Sequence, residues 1–355
     1  MSTQTDAIEP ARSSSLEEAS RSRATMLLGL LDPRRISAIY LALVFMVVFA
    51  LLDPGTFLTS STMTVVFNAG AVTCLLALGF LVPLTAGAYD LSIGAVMSFS
   101  LTICCRLALD SVPLPLVVAI VLAAGMAVGA INALIIVRFN VNSFIATLGT
   151  SQILLAATLL ISKNQQLVVS FPESWSNLGN DTVAGVPLPL IYVLAIALLL
   201  WYVMEMTRGG RYLAATGGNA EAARLSGVPT AKMVTLAMIT SSMVCSIAGV
   251  VYSMQTGVAS QGVGEGLLFP AIAAVFLGAS QFSRRPNVWG TLVAYFALAF
   301  GVQGLTLSLG SDATWAGPLF QGVSLVVAVA VASRPIVRRL RARGEDGAGR
   351  QAETA

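Results

Sequence analysis

Charged residues are absent from most of this chain, and the few that occur divide it into long uncharged runs. Runs of 15 or more residues without Asp, Glu, Lys or Arg cover 239 of the 355 positions. These runs are 36–52, 54–89, 91–105, 111–137, 139–162, 182–204, 233–264, 266–283, 286–311 and 313–333. A helix that crosses a bilayer needs about 20 mainly apolar residues, so each run has room for one. The pattern predicts an all-α membrane protein with about ten transmembrane helices.

The positions of Lys and Arg predict the orientation of these helices. With a cytoplasmic N-terminus and alternating spans, 18 of the 20 basic residues fall on cytoplasmic segments, and only Arg106 and Lys163 fall outside. Basic residues accumulate on cytoplasmic loops, so both termini are expected in the cytoplasm. We therefore expect a polar, disordered N-terminal tail over 1–35, a transmembrane domain over 36–333, and a basic cytoplasmic tail over 334–355.

Composition narrows the classes of protein further. Charged residues make up 10% of the chain and hydrophobic residues 56%, whereas a soluble domain has about 25% charged residues. The chain has no His, which excludes histidine metal sites and Ser-His-Asp triads. A net charge of +3 is too small to indicate nucleic-acid binding. The four cysteines lie in apolar stretches and are interpreted as small buried hydrophobes, namely Cys74, Cys104, Cys105 and Cys245.

Polar residues within the runs favour transport of a neutral solute. The acidic residues assigned to the spans are Asp90 and Glu205, both near helix ends, which argues against an intramembrane hydrolase. Ion-coupled carriers usually bury ionisable residues in their helices. This chain offers hydrogen-bonding side chains instead, at Asn68, Asn132, Thr147, Thr150, Ser151, Gln152 and Gln303. We expect Asn68, Asn132 and Gln303 to face a path for a hydroxyl-rich solute; bridging between helices is the alternative for any one of them.

A short helix is predicted in the longest cytoplasmic loop, 207–232. Asn219 is a good N-cap, and Ala220–Ser226 contains mostly strong helix formers. Gly227 suits the C′ position, and Pro229 prevents continuation. The chain has no G-x-x-x-x-G-K-[ST] phosphate-binding loop, so ATP-driven transport would need an ATPase on another chain. A rigid cytoplasmic helix could transmit the movement of such an ATPase to the membrane helices.

Several motifs resemble those of the permease subunits of ribose/xylose-type ABC sugar importers. The most specific is the loop stretch GGNAEAARLSG, and weaker matches surround it in both directions. The specific stretch is 217–227, and the weaker matches are 79–94 (GFLVPLTAGAYDLSIG), 129–132, 144–150 (FIATLGT), 210–212, 271–275 and 288–291. The resemblance covers roughly residues 40–333. One departure is that Leu268, Phe269 and Pro270 stand where family members often have acidic residues.

The resemblance implies a fold, partners and a place in the cell. It implies a ten-helix permease with two related halves in the bacterial inner membrane. Its partners would be a cytoplasmic ABC ATPase that uses ATP and Mg, a periplasmic or extracellular solute-binding protein, and a second permease copy, with a distinct permease as the alternative. The surrounding lipid bilayer is its remaining partner; nucleic acid is not one. No cofactor would bind this chain itself, and the solute would be a small neutral hydroxylated molecule, a monosaccharide or related polyol.

The resemblance also assigns residues to roles. The ATPase-coupling residues would be Gly217, Gly218, Asn219, Glu221, Ala222, Ala223, Arg224, Leu225, Ser226 and Gly227. A cytoplasmic gate or structural element would contain Asp90, Ser92 and Gly94. Asp90 has two interpretations, since it follows a predicted helix break at Pro83 and Gly87: it caps the third helix, or it serves a gate.

Two other function classes remain open at this stage. A ten-helix secondary carrier would show transport that collapses with the ion gradient and needs no partner ATPase. A receptor or scaffold is supported only by the long loops, 163–186 outside and 207–232 inside.

Overall fold

Helices make up nearly all of the structure. The computed structural model describes residues 37–279, 285–310 and 315–326; both predicted tails lie outside these residues. The helices of the first half are α1 Ser37–Leu52, α2 Ser60–Thr85, α3 Ile93–Leu109, α4 Leu114–Arg138, α5 Ser143–Ser162 and α6 Glu173–Asn180. Those of the second half are α7 Leu188–Trp201, α8 Arg208–Gly218, α9 Ala220–Leu225, α10 Thr230–Thr256, α11 Val263–Ala279, α12 Val288–Leu309 and α13 Ala316–Val326.

Six of the described helices are long and apolar enough to cross a membrane: α2, α4, α5, α10, α12, and α7 together with the π-helical turn Tyr202–Met206 that continues it. Four shorter apolar helices, α1, α3, α11 and α13, accompany them. Every uncharged run in the sequence overlaps most of one of these helices, and some of the helices extend past the charged residue that ends the run. The all-α membrane architecture is therefore confirmed, while the number of helices that cross the bilayer stays a prediction.

Small residues let the central helices approach closely around α10. A Cβ added to Gly249 on α10 would lie 2.7 Å from the carbonyl oxygen of Met97 on α3. On α2, a Cβ added to Gly79 would lie 2.7 Å from Cys245 Sγ. On α4, a Cβ added to Gly129 would lie 2.7 Å from the backbone of Ile239. Membrane helices associate mainly through such packing, because lipid tails are as apolar as leucine. Helices α2, α3 and α4 thus surround α10.

The connections gather at two ends of the bundle. At one end, β1 (Leu167–Val168) pairs with β4 (Val258–Ala259) in antiparallel register. The hairpin of β2 (Thr182–Val183) and β3 (Val186–Pro187) follows α6 in the same connection. At the other end, the backbone N–H of Tyr89, which follows α2, donates to Ser143 Oγ at the start of α5 at 3.0 Å. The grouping agrees with alternating spans; the cytoplasmic end is assigned by the Lys/Arg bias alone.

Two local features differ from the sequence-based expectations. Helix α2 continues past Pro83 to Thr85, and the chain turns at Gly87, whose φ of +81° is a left-handed conformation that glycine adopts without strain. The connection over 207–232 contains α8 before the expected short helix, and α8 was not predicted. Two adjacent glycines at 209 and 210 concealed its start, because glycine is a poor helix former.

Candidate functional site

A fully buried carboxylate lies at the start of α3. Asp90 Oδ1 accepts hydrogen bonds from the backbone N–H of Ser92 at 3.0 Å and from Ser92 Oγ at 2.5 Å. Asp90 Oδ2 accepts from Ser241 Oγ of α10 at 2.7 Å. All three residues are buried. Helix α3 begins at Ile93 with Ser92 as its N-cap, and no side chain caps it; Asp90 binds the N-cap residue and not an N–H group of the first turn. The carboxylate also ties the α2–α3 connection to α10.

The hydrogen-bond network continues into α4 and α5. Asn132 of α4 donates from Nδ2 to Ser92 Oγ at 3.0 Å. Its Oδ1 accepts from Thr150 Oγ1 of α5 at 2.6 Å. One residue before Ser92, the N–H of Leu91 donates to Thr147 Oγ1 at 3.0 Å. The short connection between α2 and α3 is thereby held by side chains from three other helices, with its polar groups satisfied inside the protein.

Gly94, the third residue predicted in this region, has a packing role. Its backbone touches that of Gly264 in the first turn of α11: a Cβ on Gly94 would lie 2.8 Å from the carbonyl carbon of Gly264. The reverse also holds, since a Cβ on Gly264 would lie 2.8 Å from the carbonyl carbon of Gly94. No side chain fits at either position without separating α3 from α11.

The predicted cytoplasmic helix is present as α9 and is capped at both ends. Asn219 Oδ1 accepts the N–H of Ala222 at 3.0 Å. At the other end, Gly227 has φ +83°, its N–H donates to Arg224 O, and the N–H of Val228 donates to Ala223 O, both at 3.0 Å. This pair of bonds is a Schellman motif. The helix ends at Leu225, one residue before the predicted end, because Ser226 is already the C-cap.

The outer surface of α9 carries charge and one exposed apolar side chain. Arg224 donates to both carboxylate oxygens of Glu221, at 2.7 and 3.3 Å. These bonds and the charge of Arg224 hold the pKa of the Glu221 carboxyl below its usual value. Leu225 beside them is 78% exposed, whereas Ala223 on the opposite face is buried. The helix therefore presents a pre-formed ion pair and a leucine to its surroundings.

Glycine packing connects this loop to the polar network. Gly217, near the end of α8, lies against Thr85 and Gly87, and a Cβ at Gly217 would be 2.9 Å from the backbone nitrogen of Gly87. Gly218 has open space around it. The α8–α9 unit is thus in backbone contact with the connection that ends at Asp90.

The three predicted path residues occupy different surroundings. Asn132 is fully buried and bridges helices as described above. Asn68 Oδ1 accepts from Gln255 Nε2 at 2.7 Å, near the end of α10 opposite Asp90. Gln303 lines a cavity of about 240 Å³ between α2, α11, α12 and α13, together with Gln321, Thr73 and Tyr295. Neither glutamine side chain has a hydrogen bond within the described part of the chain. The structure therefore does not bring these three residues together.

One acidic residue was missed by the sequence reasoning. Glu265 falls between two uncharged runs and was taken as a boundary, but it lies in the first turn of α11. Its Oε2 accepts from Ser98 Oγ of α3 at 3.2 Å. The same hydroxyl accepts the N–H of Gly264 at 2.9 Å. The expectation that Asp90 and Glu205 are the only acidic residues within the spans is therefore wrong, because Glu265 also lies in an apolar helix. In the sequence, the short length of the 266–283 run was the signal that could have indicated that the helix begins before Glu265.

Comparison with known proteins agrees with this arrangement. Residues 62–331 match the family described as "Branched-chain amino acid transport system / permease component". The fructose import permease protein FrcC of Rhizobium meliloti is 32% identical over 300 residues, 81% of each chain. The D-allose transport system permease protein AlsC of Escherichia coli K12 is 32% identical over 245 residues, 68% of this chain and 74% of AlsC. The ribose import permease protein RbsC of Escherichia coli K12 is 29% identical over 271 residues, 75% of this chain and 84% of RbsC.

No solved structure matches the chain. The relatives confirm the resemblance to the permeases of sugar importers, and the family match covers most of the described helices. With six helices able to cross a membrane, the chain belongs to the family of transport-system permeases and is a multi-pass protein of the bacterial inner membrane.

Proposed function

We propose that this chain is the membrane-spanning subunit of an ABC importer that moves a small neutral hydroxylated solute, a monosaccharide or related polyol, into the cell. A separate cytoplasmic ATPase drives the transport, and a solute-binding protein outside the membrane delivers the solute. The observation that carries the proposal is a doubly capped helix, α9, presented outward on a loop that contacts the polar network of the bundle. The names of the relatives support the solute class, since they are permeases for fructose, D-allose and ribose.

Helix α9 is the proposed contact with the ATPase. Glu221, Arg224 and Leu225 face away from the bundle, so they are available to a partner. Caps at both ends fix the short helix, which alone would be too short to be stable in water. Movement of the ATPase then reaches the bundle through Gly217, which lies against the α2–α3 connection.

The gate is proposed at the α2–α3 connection. Asp90 and Ser92 bind it to α10 and α4 through side-chain hydrogen bonds. A segment held by a few such bonds can exist in two positions, because the bonds can break and re-form as a group. For the path, Gln303 has the strongest support, since its amide lines a cavity. Asn68 remains a candidate near the outer end, and the packing of Asn132 favours the helix-bridging alternative.

The complete transporter would contain two permease copies and two ATPases. All ten apolar helices are proposed to cross or enter the membrane, with both termini in the cytoplasm. This assignment rests on the Lys/Arg distribution and on the grouping of the connections at two ends of the bundle.

Reconstitution tests the proposal directly. The permease, its ATPase and its binding protein are placed in proteoliposomes with labelled ribose, allose or fructose as probe. We expect uptake of one of these sugars that requires ATP and all three proteins. Uptake by the permease alone that follows an imposed Na⁺ or proton gradient would instead establish a secondary carrier.

The same system tests α9. Exchanging the two charges, Glu221→Arg with Arg224→Glu, keeps an internal ion pair but presents reversed charges to a partner. We expect normal membrane insertion and at least a tenfold loss of ATPase association or ATP-driven uptake. The matched control is Asp181→Ala, an exposed acid at the opposite end of the bundle, which should leave both unchanged. Normal uptake by the double variant would exclude this charged face from the contact.

A further inference from the structure

Glu265 lies well inside the bundle. Its partner Ser98 is eleven residues before the end of α3 at Leu109, which corresponds to about 16 Å along the helix. The neighbouring residues of α3 contact Gly249 of α10, seven residues before that helix ends at Thr256 and thus about 10 Å from its end. The hydrocarbon core of a bilayer is about 30 Å thick, so the carboxylate lies at membrane depth.

The chain reaches this depth because it turns back into the bundle after α10. Strand β4 pairs with β1 at the end of the bundle, and a few residues later α11 begins beside the first turns of α3. Both α3 and α11 therefore start inside the bundle, with their first turns in contact at Gly94 and Gly264. In transporters, helices that begin within the membrane place polar groups at the solute site.

The described residues use only part of the hydrogen-bonding capacity of the Glu265 carboxylate. Within the described residues, Glu265 has one side-chain hydrogen bond, from Ser98, and no Lys or Arg pairs with it. Its side chain is half-buried rather than enclosed. The oxygen atom that Ser98 does not use, Oε1, can accept further hydrogen bonds.

The adjoining face of α11 is open. Gly262 and Gly266 are exposed and have no other group near the position of a Cβ, and Phe269 on the same face is 58% exposed. This face differs from the lipid-facing helices: α7, for example, exposes Leu194, Leu198 and Leu199. A carboxylate beside two glycines does not suit a lipid surface, because an ionisable group in contact with lipid tails costs several kcal/mol. It does suit a surface along which water and solute pass.

We infer that Glu265 is a solute-binding residue of the transport path, where its carboxylate accepts hydrogen bonds from hydroxyl groups of the passing sugar while Gly262 and Gly266 leave room beside it. The inference rests on the proposed function for the class of solute. Ser98 acts as a positioning residue, since its hydroxyl binds both the carboxylate and the N–H of Gly264 in the first turn of α11.

Cysteine labelling tests the location independently of transport. The four native cysteines are all buried, so the wild-type chain is a suitable background. In membranes that contain the full transporter, Glu265→Cys should react with a charged, water-soluble methanethiosulfonate. Addition of the transported sugar should slow this reaction at least threefold. The matched control, Leu199→Cys on the apolar surface of α7, should not react. A Glu265→Cys variant as inert as Leu199→Cys in the resting and ATP-bound states would overturn the inference.

Uptake measurements test the chemistry. Glu265→Gln keeps the size of the side chain but removes its charge and half of its acceptors, and we expect at least a tenfold loss of sugar uptake with unchanged ATPase association. Ser98→Ala should cause a smaller loss than Glu265→Gln, because the carboxylate remains but is no longer held by the Ser98 hydroxyl. Equal losses in both variants, with no protection by sugar, would indicate a packing role for Glu265. Wild-type uptake that depends on a Na⁺ or proton gradient would make Glu265 an ion site and overturn the inference.

The two proposals fail in different ways. If the wild-type transporter moves none of the three sugar probes, the proposed solute class is wrong, but the labelling of Glu265→Cys still shows whether the site is open to water. If wild-type transport is normal and Glu265→Gln is unaffected, only the assignment of Glu265 fails.

Discussion

Two acidic residues inside the same bundle have opposite surroundings. Asp90 is fully buried and accepts three hydrogen bonds from Ser92 and Ser241. Glu265 is half-buried and accepts one, from Ser98. Each lies beside the first turn of a helix that starts within the bundle, so position along the helix does not distinguish them. The difference is how much of each carboxylate the protein itself uses.

This difference indicates a structural role for Asp90 and a ligand-binding role for Glu265. A carboxylate whose acceptors are all used by its own chain has none left for a solute and instead fixes the elements that donate to it. A carboxylate with unused acceptors on an open face is costly to keep in a membrane unless water or a ligand reaches it. Variants at the two positions should therefore differ: loss of Asp90 should lower both stability and transport, whereas loss of Glu265 should lower transport with little effect on stability.

The largest effect should come from separating α3 from α11. Gly264→Val places a side chain against the backbone of Gly94, and close-packed interiors do not accommodate such an insertion. We expect little or no folded protein after detergent extraction, measured by size-exclusion chromatography. Gly266→Ala, two residues along the same helix with open space at its Cβ, should give normal yield. Equal yields from the two variants would show that the contact between the glycines is not needed.

An intermediate effect is expected from Asp90→Ala, which leaves the hydroxyls of Ser92 and Ser241 without their acceptor. Each orphaned buried donor costs about 1–3 kcal/mol, less where the hydroxyl turns to a carbonyl of its own helix. The melting temperature in detergent should fall clearly, whereas Glu265→Ala should lower it much less. If Glu265→Ala is the more destabilising variant, the roles assigned to the two acids are reversed.

The smallest effect should come from a third acid, Glu221, which is exposed on the surface of α9. Because Arg224 holds the pKa of Glu221 below its usual value, the pair stabilises α9 above the usual glutamate pKa of about 4.3. That stabilisation is lost as the pH falls through the lower, folded-state pKa. The melting temperatures of wild type and Glu221→Gln should differ slightly at pH 7 and converge by pH 3. A difference that grows on acidification would contradict the sign of this shift.

The sequence predicted the elements governed by composition and local chemistry. Runs without charged residues predicted the apolar helices, because a helix that crosses a membrane must be made mainly of apolar residues. Asn219, Gly227 and Pro229 gave α9 to within one residue, since caps act over a few neighbouring positions.

The depth of a residue within the bundle and its hydrogen-bond partners on other helices could not be predicted in the same way. Glu265 was placed at a boundary because a charge map assumes that each span crosses completely, whereas α11 starts inside the bundle. Asn132 was expected to face a path because its polarity is visible in the sequence, but its partners, Ser92 and Thr150, belong to other helices. Long-range contacts of this kind are set by helix packing, which a single sequence does not display.

The short connection between α9 and α10 has a mechanical consequence. Only residues 226–229 separate the two helices, and within them Gly227 is fixed by the Schellman bonds and Pro229 has a restricted backbone. A connection of this kind allows α9 and α10 almost no independent movement. A push on α9 would therefore tilt or rotate α10 as a lever, and Ser241 would carry that motion to Asp90 about 16 Å along the helix from Thr230. Inserting residues into 226–229 would therefore uncouple the motion of α9 from that of α10 while leaving both helices intact.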